Sequence, residues 1–331
     1  MIVKDMMPAF ELYQPMQLDD ALALLDRYGK DGWKMAGGND SLSWFKERIK
    51  RPKAVIDISG IAALKGVRET PDGVEIGALT TLTEIERNPV IRAKYRVLAD
   101  AARRVASPQI RNTGTIGGNL AQDARCWYYR YGLPCYRAGG NTCFADTPEG
   151  VNREHALFDA DRCVAVSPSD TAPALVALDA RMVIKSSKGE RIAGAEEFFI
   201  GPKTDITRLT SVKPEEILTA VRIPNSWAGA RFYFEKVADR DTWDFALVNV
   251  SAAIVVNNGI VERSRIVSGG VSAVPRRLTV VEEVIQGKPP AEATAKLAGQ
   301  ASIRGARPLN YNQFKIPLMA NLVTRAVRDA A

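Results

Sequence analysis

Apolar residues recur at helical spacing along "LDDALALLDRYGK" (18–30), and the run stops at Gly29, which predicts a helix. In "WKMAGGNDSLSWFKERI" a short apolar strand runs into Gly37-Gly38, then into Asn39 and Asp40, then into a helical stretch. "KAVIDISGI" (53–61) reads as a buried strand with a turn. "GVEIGALTTLTEIERNP" (73–89) reads as a strand followed by a helix, with Thr83 as its expected cap. A helix over 97–106 breaks at Ser107-Pro108, ahead of a second glycine turn, Gly117-Gly118, inside Thr-Ile-Gly-Gly-Asn-Leu. "SPSDTAPALVALDARMVIKSSKGE" predicts a short helix over 171–178, a strand and a "SSKGE" turn. Strand alternation over 215–224 ends at Pro224, and "NSWAGA" (225–230) reads as a linker and domain boundary. Three strands are expected beyond it, the last two a hairpin across Asn258-Gly259, and mostly helical stretches close the chain.

Composition adds little to this picture except by exclusion. A chain of 331 residues with 46% apolar and 25% charged positions suits two or three domains with a large core. No apolar run reaches the roughly 18–20 residues of a membrane span. The start, "MIVKDMMPAFELYQP", lacks a basic segment followed by a long apolar stretch, so no signal peptide is expected. The cytoplasm is the default location, and a partner with a twin-arginine signal would carry the chain to the periplasm. The net charge of +7 is spread along the chain. The densest run, "KERIKRPK" (46–53), also holds a Glu and reads as a solvated helix end or subunit contact before it reads as a nucleic-acid patch.

The candidate chemistry lies in the glycines and cysteines. A strand, a glycine turn and a helix start form a physical recipe for holding phosphate, because the backbone can approach and free N–H groups face the anion. Either Gly-Gly turn alone reads equally as a plain turn. Two of them, each followed by Asn, suggest two loops gripping one long phosphate-bearing ligand. No six-residue Rossmann fingerprint and no Walker-type lysine is present, which disfavours a nicotinamide Rossmann domain and a P-loop NTPase. The one histidine, His155, is expected to pack or hydrogen-bond beside the cysteine-rich loop.

All four cysteines, Cys126, Cys135, Cys143 and Cys163, fall in one region, with eight, seven and nineteen residues between successive members. Disulfides belong to oxidising compartments and usually to small secreted chains. Structural zinc favours ligand pairs two to four residues apart, and none exists here. Ferredoxin spacings do not match either, but a wrapping loop rich in Gly, Pro and aromatic residues suits a 4Fe–4S cluster. Four free buried thiols are the remaining reading. Spacing alone leaves these open.

The two glycine turns, taken with "SPSDTAPAL", carry a resemblance. Nearly end to end, the chain resembles the FAD-binding medium subunits of the molybdenum hydroxylases, the superfamily of xanthine dehydrogenase, aldehyde oxidoreductase and carbon monoxide dehydrogenase. "AGGNDSL" resembles the first flavin loop of that family, "RNTGTIGGNL" the second, and "SPSDTAPAL" the Asp-bearing turn. "EEILTAVRIP" and "FEKVADRD" resemble segments near the isoalloxazine ring, and "RIVSGGVSAVPRRL" the C-terminal domain. A subgroup inserts about 40 residues after "GGNL", with four cysteines that ligate a 4Fe–4S cluster. Both 4-hydroxybenzoyl-CoA reductase and a periplasmic-type aldehyde oxidoreductase belong to it. Here the "ARC" start follows the family pattern, and "GNTC" and "REHALF" look closer to the aldehyde-oxidoreductase type.

The resemblance implies an α+β fold. A two-subdomain FAD-binding domain of the PCMH type would span about 1–225, with subdomains of about 1–62 and 63–225 and the insert at about 121–166. A smaller C-terminal domain of antiparallel sheet and helices would span about 226–331. It implies that Lys34, Met35, Ala36, Gly37, Gly38, Asn39, Asp40, Ser41 and Leu42 cradle the FAD pyrophosphate, with Asn39 where Thr is frequent. Thr115, Ile116, Gly117, Gly118 and Asn119 would form the second clamp, and Asp170 would bond ribityl or sugar hydroxyls. Leu218 would pack on the isoalloxazine, Lys236 would sit near its pyrimidine edge, and the four cysteines would hold the cluster. A large molybdopterin subunit would oxidise an aldehyde or N-heterocycle, and a small 2Fe–2S subunit would pass electrons to this FAD and on to an external acceptor. Two alternatives stand: inward electron flow, as in a hydroxybenzoyl-CoA-type reductase, or a zinc-stapled nucleic-acid-binding or interaction protein.

Overall fold

Three sheets organise the chain in the computed structural model, which describes residues 6–329. Residues 1–5, where the reading of the N-terminus begins, and 330–331, where the expected C-terminal domain ends, lie outside the described residues. Strands β1 (Glu11–Tyr13), β2 (Gly32–Met35) and β3 (Ala54–Asp57) form a parallel sheet in the order β1-β3-β2. Parallel strands that follow one another in sequence need a crossover. The helix Leu18–Tyr28 supplies the one from β1 to β2, burying Ala21, Leu22 and Leu25 in one cluster with Ala54 and Ile56, and the helix Ser41–Lys46 lies in the one from β2 to β3. The helix stops where expected, at Gly29, whose φ of 51° suits a residue without Cβ.

The second sheet is antiparallel, in the order β4-β5-β8-β6-β7. Its strands are β4 (Val67–Thr70), β5 (Gly73–Gly77), β6 (Arg181–Ser186), β7 (Gly189–Gly194) and β8 (Ile217–Pro224). The second glycine loop, the cysteine loop and the Asp170 turn all lie between β5 and β6 in sequence. The first helix after β5, Leu82–Arg87, is capped by Thr81 and not by the expected Thr83. Thr81 and Glu84 form a reciprocal capping box, which satisfies two otherwise unpaired N–H groups at once, whereas Thr83 Oγ1 donates to Asn112. Thr81 also bridges to Thr115, so the cap fixes the approach to the second glycine loop. The predicted 97–106 helix spans Arg96–Arg103, and Ser107 caps the next helix, Pro108–Thr113.

The third sheet, in the order β12-β11-β10-β9, contains β9 (Arg231–Val237), β10 (Val248–Asn257), β11 (Ile260–Gly269) and the short β12 (Arg276–Arg277). The β10–β11 hairpin turns at Asn258-Gly259, both with positive φ, as the dipeptide predicts. Every residue from Val248 to Ile254 is buried. Val248, Val250, Ala252 and Ile254 pack on helices Thr279–Ile285, Glu292–Ser302 and Lys315–Arg328, while Ala253 joins the core of the preceding domain. A strand covered on both faces reads as a near-continuous apolar run, as this one does.

The "NSWAGA" segment is not a loose linker. Trp227 is buried, Asn225 bonds the main chain at Pro71 and Asp72, and Gly229 N donates to Lys94 O. Among the described residues, no helix is long and apolar enough to cross a membrane. Removing the cap with Thr81→Ala is expected to destabilise the protein by about 1 kcal/mol, with a smaller effect from Thr83→Ala. Urea denaturation of the two variants checks this, and equal losses would contradict the assigned cap.

Candidate functional site

A cleft of about 740 Å³ opens among the parallel sheet, the antiparallel sheet and the loop after β9. That lies within the roughly 300–1,000 Å³ of small-molecule and cofactor pockets. From the first glycine loop, Lys34, Ala36, Gly37, Gly38, Asn39, Asp40 and Ser41 line it. Thr115, Gly117, Gly118 and Asn119 line it from the second, together with Asp170 and Leu218. Two segments 80 residues apart in sequence thus face one space.

Four expected residues do not line the cleft, each for a physical reason. Strand alternation turns Met35 away from Lys34 and into an apolar cluster with Trp44 and Phe45. Leu42 stands on the outer side of its helix, 41% exposed. Ile116 is fully buried in the main core. The Lys236 ammonium is held in a buried ion pair, 2.6 Å from Asp170 Oδ2, and also donates to Arg104 O at 3.0 Å.

The glycines divide into two kinds. A Cβ on Gly37 would lie 2.1 Å from Thr113 O, and one on Gly117 would lie 2.9 Å from Ala78 O. These two let neighbouring backbone press in: Gly37 brings the first loop against the start of the second, and Gly117 seats the second loop on the end of β5. Asn39 Nδ2 donates across the same junction to Thr113 Oγ1 at 3.0 Å. A Cβ on Gly118 would meet only Thr115 Oγ1, its own cap, and would otherwise enter open cleft. Nor is the second pair a turn: it lies inside the short helix Ile116–Leu120, whose first turn is closed by Gly118 N donating to Thr115 Oγ1 at 3.1 Å. Asn119 Oδ1 then accepts from Ser169 at 2.7 Å and Thr171 at 2.6 Å, tying this loop to the Asp170 turn.

Charge is distributed unevenly around the cleft. Lys34 Nζ donates to Lys213 O at 2.8 Å and Pro214 O at 3.0 Å, and burial lowers its pKa to about 8 against the opposing pull of Glu216 and Glu215. Burial raises the Asp40 carboxyl, opposed by Arg125 at 2.7 Å, the Asp123 N–H and Trp44 Nε1 at 2.9 Å. Burial likewise pushes the Asp170 carboxyl upward, and Lys236 and Asn249 oppose it. Sequence reasoning missed Arg125, Asp123, Trp243 and Phe245, all of which line the cleft. For Trp243 no local motif gives a signal, since its exposed ring and φ of 76° arise from a loop held by hydrogen bonds to Ala106 O.

A second, small cavity of about 10 Å³ is lined by all four cysteines, with Tyr129, Arg137, Arg162 and several small apolar residues. The thiols are free. Among the described residues, no three His, Cys, Asp or Glu side chains gather as one metal ion would require. Burial pushes the Cys126 thiol up to about 11 and raises Cys163 as well. His155 is buried beside them, its Nε2 3.3 Å from Cys126 Sγ. The loop is anchored on both sides. Arg130 reaches Ser43 and Glu47, Arg137 pairs with Asp123, and the Tyr129 ring packs on Trp44 at 5.5 Å between centroids. From the C-terminal domain, Asn310 donates to Thr147 O and Pro148 O, Asn312 to His155 O and Ala156 O, and Lys315 to His155 O.

This fold and cleft define a class, the FAD-binding flavoprotein components of oxidoreductase complexes. The chain belongs to the molybdenum hydroxylase family as an FAD-binding medium subunit: residues 8–226 match the FAD binding domain in molybdopterin dehydrogenase, and residues 233–330 the CO dehydrogenase flavoprotein C-terminal domain. It is 32% identical to the aldehyde oxidoreductase FAD-binding subunit PaoB of Escherichia coli (strain K12), over 89% of this chain and 90% of that protein. It is 27% identical to the carbon monoxide dehydrogenase medium chain of Hydrogenophaga pseudoflava, over 98% and 97% of the two chains. The solved carbon monoxide dehydrogenase from the same organism superposes with a TM-score of 0.79 and 26% identity, covering 98% of each chain.

The Asp170–Lys236 pair yields a test. Lys236→Met leaves a buried carboxylate without its cation and is expected to cost about 3–5 kcal/mol, much of it recovered in Asp170→Asn/Lys236→Met. Thermal or urea unfolding of the single and double variants measures both. A Lys236→Met protein as stable as the parent would show that the pair carries no structural weight.

Proposed function

We propose that this chain carries FAD in the 740 Å³ cleft and serves as the electron-transfer subunit of a multi-subunit molybdenum hydroxylase. The observation that carries the reading is that both glycine loops, Asp170 and Leu218 line one cleft. The pyrophosphate lies between the loops, where Gly38 and Gly118 leave room at the cleft wall. Asp170, already committed to Lys236 and Asn249 on one side, offers its cleft-facing side to hydroxyl groups of the ligand. Leu218 supplies an apolar wall for the isoalloxazine. Lys236 acts through Asp170 and not at the ring edge. Bound flavin supplies the exchange between one-electron and two-electron carriers.

The chain works with a large molybdopterin subunit and a small 2Fe–2S subunit, and hands electrons to an external acceptor. Its likeness to PaoB favours an aldehyde as the substrate of the assembled enzyme. In this reading the assembled enzyme resides in the cytoplasm, or in the periplasm where a signal-bearing partner carries it there.

The four cysteines hold a 4Fe–4S cluster in this reading. Four thiols facing one cavity without converging on one point suit a cluster, whose irons occupy separate corners, better than a single zinc ion. The free volume is that of one water. Cluster assembly therefore moves part of the lining outward, which an irregular loop permits more readily than a sheet or helix. Arg137, beside the cavity, contributes positive charge to offset the thiolates.

A visible spectrum of the anaerobically purified protein, with iron and flavin quantified on the same sample, tests both assignments. One FAD and about four irons per chain are expected. Colourless protein overturns the flavin reading, and flavin without iron overturns the cluster alone. Gly118→Val, whose side chain enters the cleft, is expected to give folded, flavin-poor protein with its iron retained. Cys135→Ser is expected to lower iron while leaving flavin bound. Full FAD occupancy in Gly118→Val would displace the proposed clamp.

A further inference from the structure

We propose that His155 donates a hydrogen bond from Nε2 to the Cys126 sulfur and so raises the reduction potential of the iron–sulfur cluster. The inference rests on the cluster reading above. The imidazole is buried, and its Nε2 lies 3.3 Å from Cys126 Sγ. A thiolate bound to iron has no proton to give, so the hydrogen in this contact sits on Nε2 and the sulfur accepts it. Nδ1 is buried and has no hydrogen-bond partner among the described residues. The sulfur is therefore the one polar neighbour that the ring serves. A buried ring nitrogen left without a partner is costly and calls for a reason. Holding the opposite nitrogen on the sulfur is that reason.

The surroundings fix the backbone that carries the buried ring. His155 N donates to Asn152 O at 3.1 Å. His155 O accepts from Asn312 Nδ2 at 3.1 Å and from Lys315 Nζ at 3.0 Å, and the fully buried Lys315 is itself fixed on Gly270 O at 2.8 Å. Asn152 in turn donates to Ala145 O and accepts from Tyr311 N. His155 thus rests on a scaffold built from the C-terminal domain, and Asn312 and Lys315 are positioning residues.

When the cluster gains one electron, negative charge grows on its sulfurs. A donor aimed at a sulfur stabilises that state more than the oxidised one, which shifts the equilibrium toward reduction. The proton stays on Nε2 and no bond is broken. The Cys126 sulfur also faces the backbone N–H groups of Tyr128 and Tyr129, and Cys163 that of Ala165. His155 is the side-chain donor, and therefore the one that substitution can remove.

The test is an anaerobic redox titration of the full-length protein with dithionite, following the cluster by EPR, for the parent, His155→Gln and His155→Leu. Iron and FAD are quantified in each. With both contents unchanged, His155→Leu is expected to lower the equilibrium constant for cluster reduction about tenfold, a midpoint about 59 mV lower for a one-electron couple. His155→Gln, which keeps an N–H donor, is expected to fall between that and the parent. A parent protein with flavin but no iron overturns the cluster reading and this proposal with it. A parent with iron and an unshifted midpoint in His155→Leu overturns this proposal alone. If His155→Leu loses its iron, His155→Phe, which keeps a ring, is titrated in its place. Loss of iron from both makes His155 structural and also overturns the proposal.

Discussion

The buried ion pair between Asp170 and Lys236 is the constraint on which the rest of the arrangement depends. Lys236 and Asn249 are register partners on β9 and β10, so their side chains leave the sheet on the same face, and both reach Asp170. Asp170 begins the helix Thr171–Ala177, every residue of which is buried. One carboxylate therefore locates that helix, the face of the C-terminal sheet and one wall of the cleft at once. Buried pairs are weak evidence for net stability, because desolvation offsets much of the attraction. Their value lies in geometry: a carboxylate with two directional donors accepts few alternative packings.

The cysteine loop is joined to the cleft by similar means. Asp40, in the first glycine loop, accepts from Trp44, Arg125 and the N–H of Asp123. Arg125 immediately precedes Cys126, and Asp123 pairs with both Lys50 and Arg137. The first glycine loop and the cysteine loop therefore share one charge network, and a displacement of either is felt by the other. The basic run 46–53 is drawn into it through Lys50, which lies over the Trp44 and Tyr129 rings as well as beside Asp123.

Local signals made much of the fold legible. The helix before Gly29, the Asn258-Gly259 hairpin and the Ser107-Pro108 break each follow from one or two residues with restricted or permissive backbones. The two glycine loops were legible as a pair, and so was the gathering of cysteines in one segment. What escaped was set by tertiary contact. Nothing near Lys236 announces a partner 66 residues earlier in the chain. Thr81 and Thr83 are equivalent until the strand exit and the Glu84 carboxylate choose between them. Met35 and Ile116 sit inside the loops that line the cleft, but the pleat of a strand and the buried side of a short helix turn them to the core. The roles of Gly37 and Gly117 were legible as close approach, but not that the approaching atoms belong to the protein itself.

The hold that residues 310–315 keep on the cysteine loop has a consequence for biosynthesis. The loop contributes its first thiol at residue 126, yet the bonds that fix Asn152, His155 and Ala156 come from a segment translated more than 150 residues later. The loop cannot take its final shape on the ribosome until the C-terminal helix has emerged. If the loop holds the proposed cluster, the machinery that inserts its iron would meet either a nascent chain whose loop is still open or a finished one that must be prised apart.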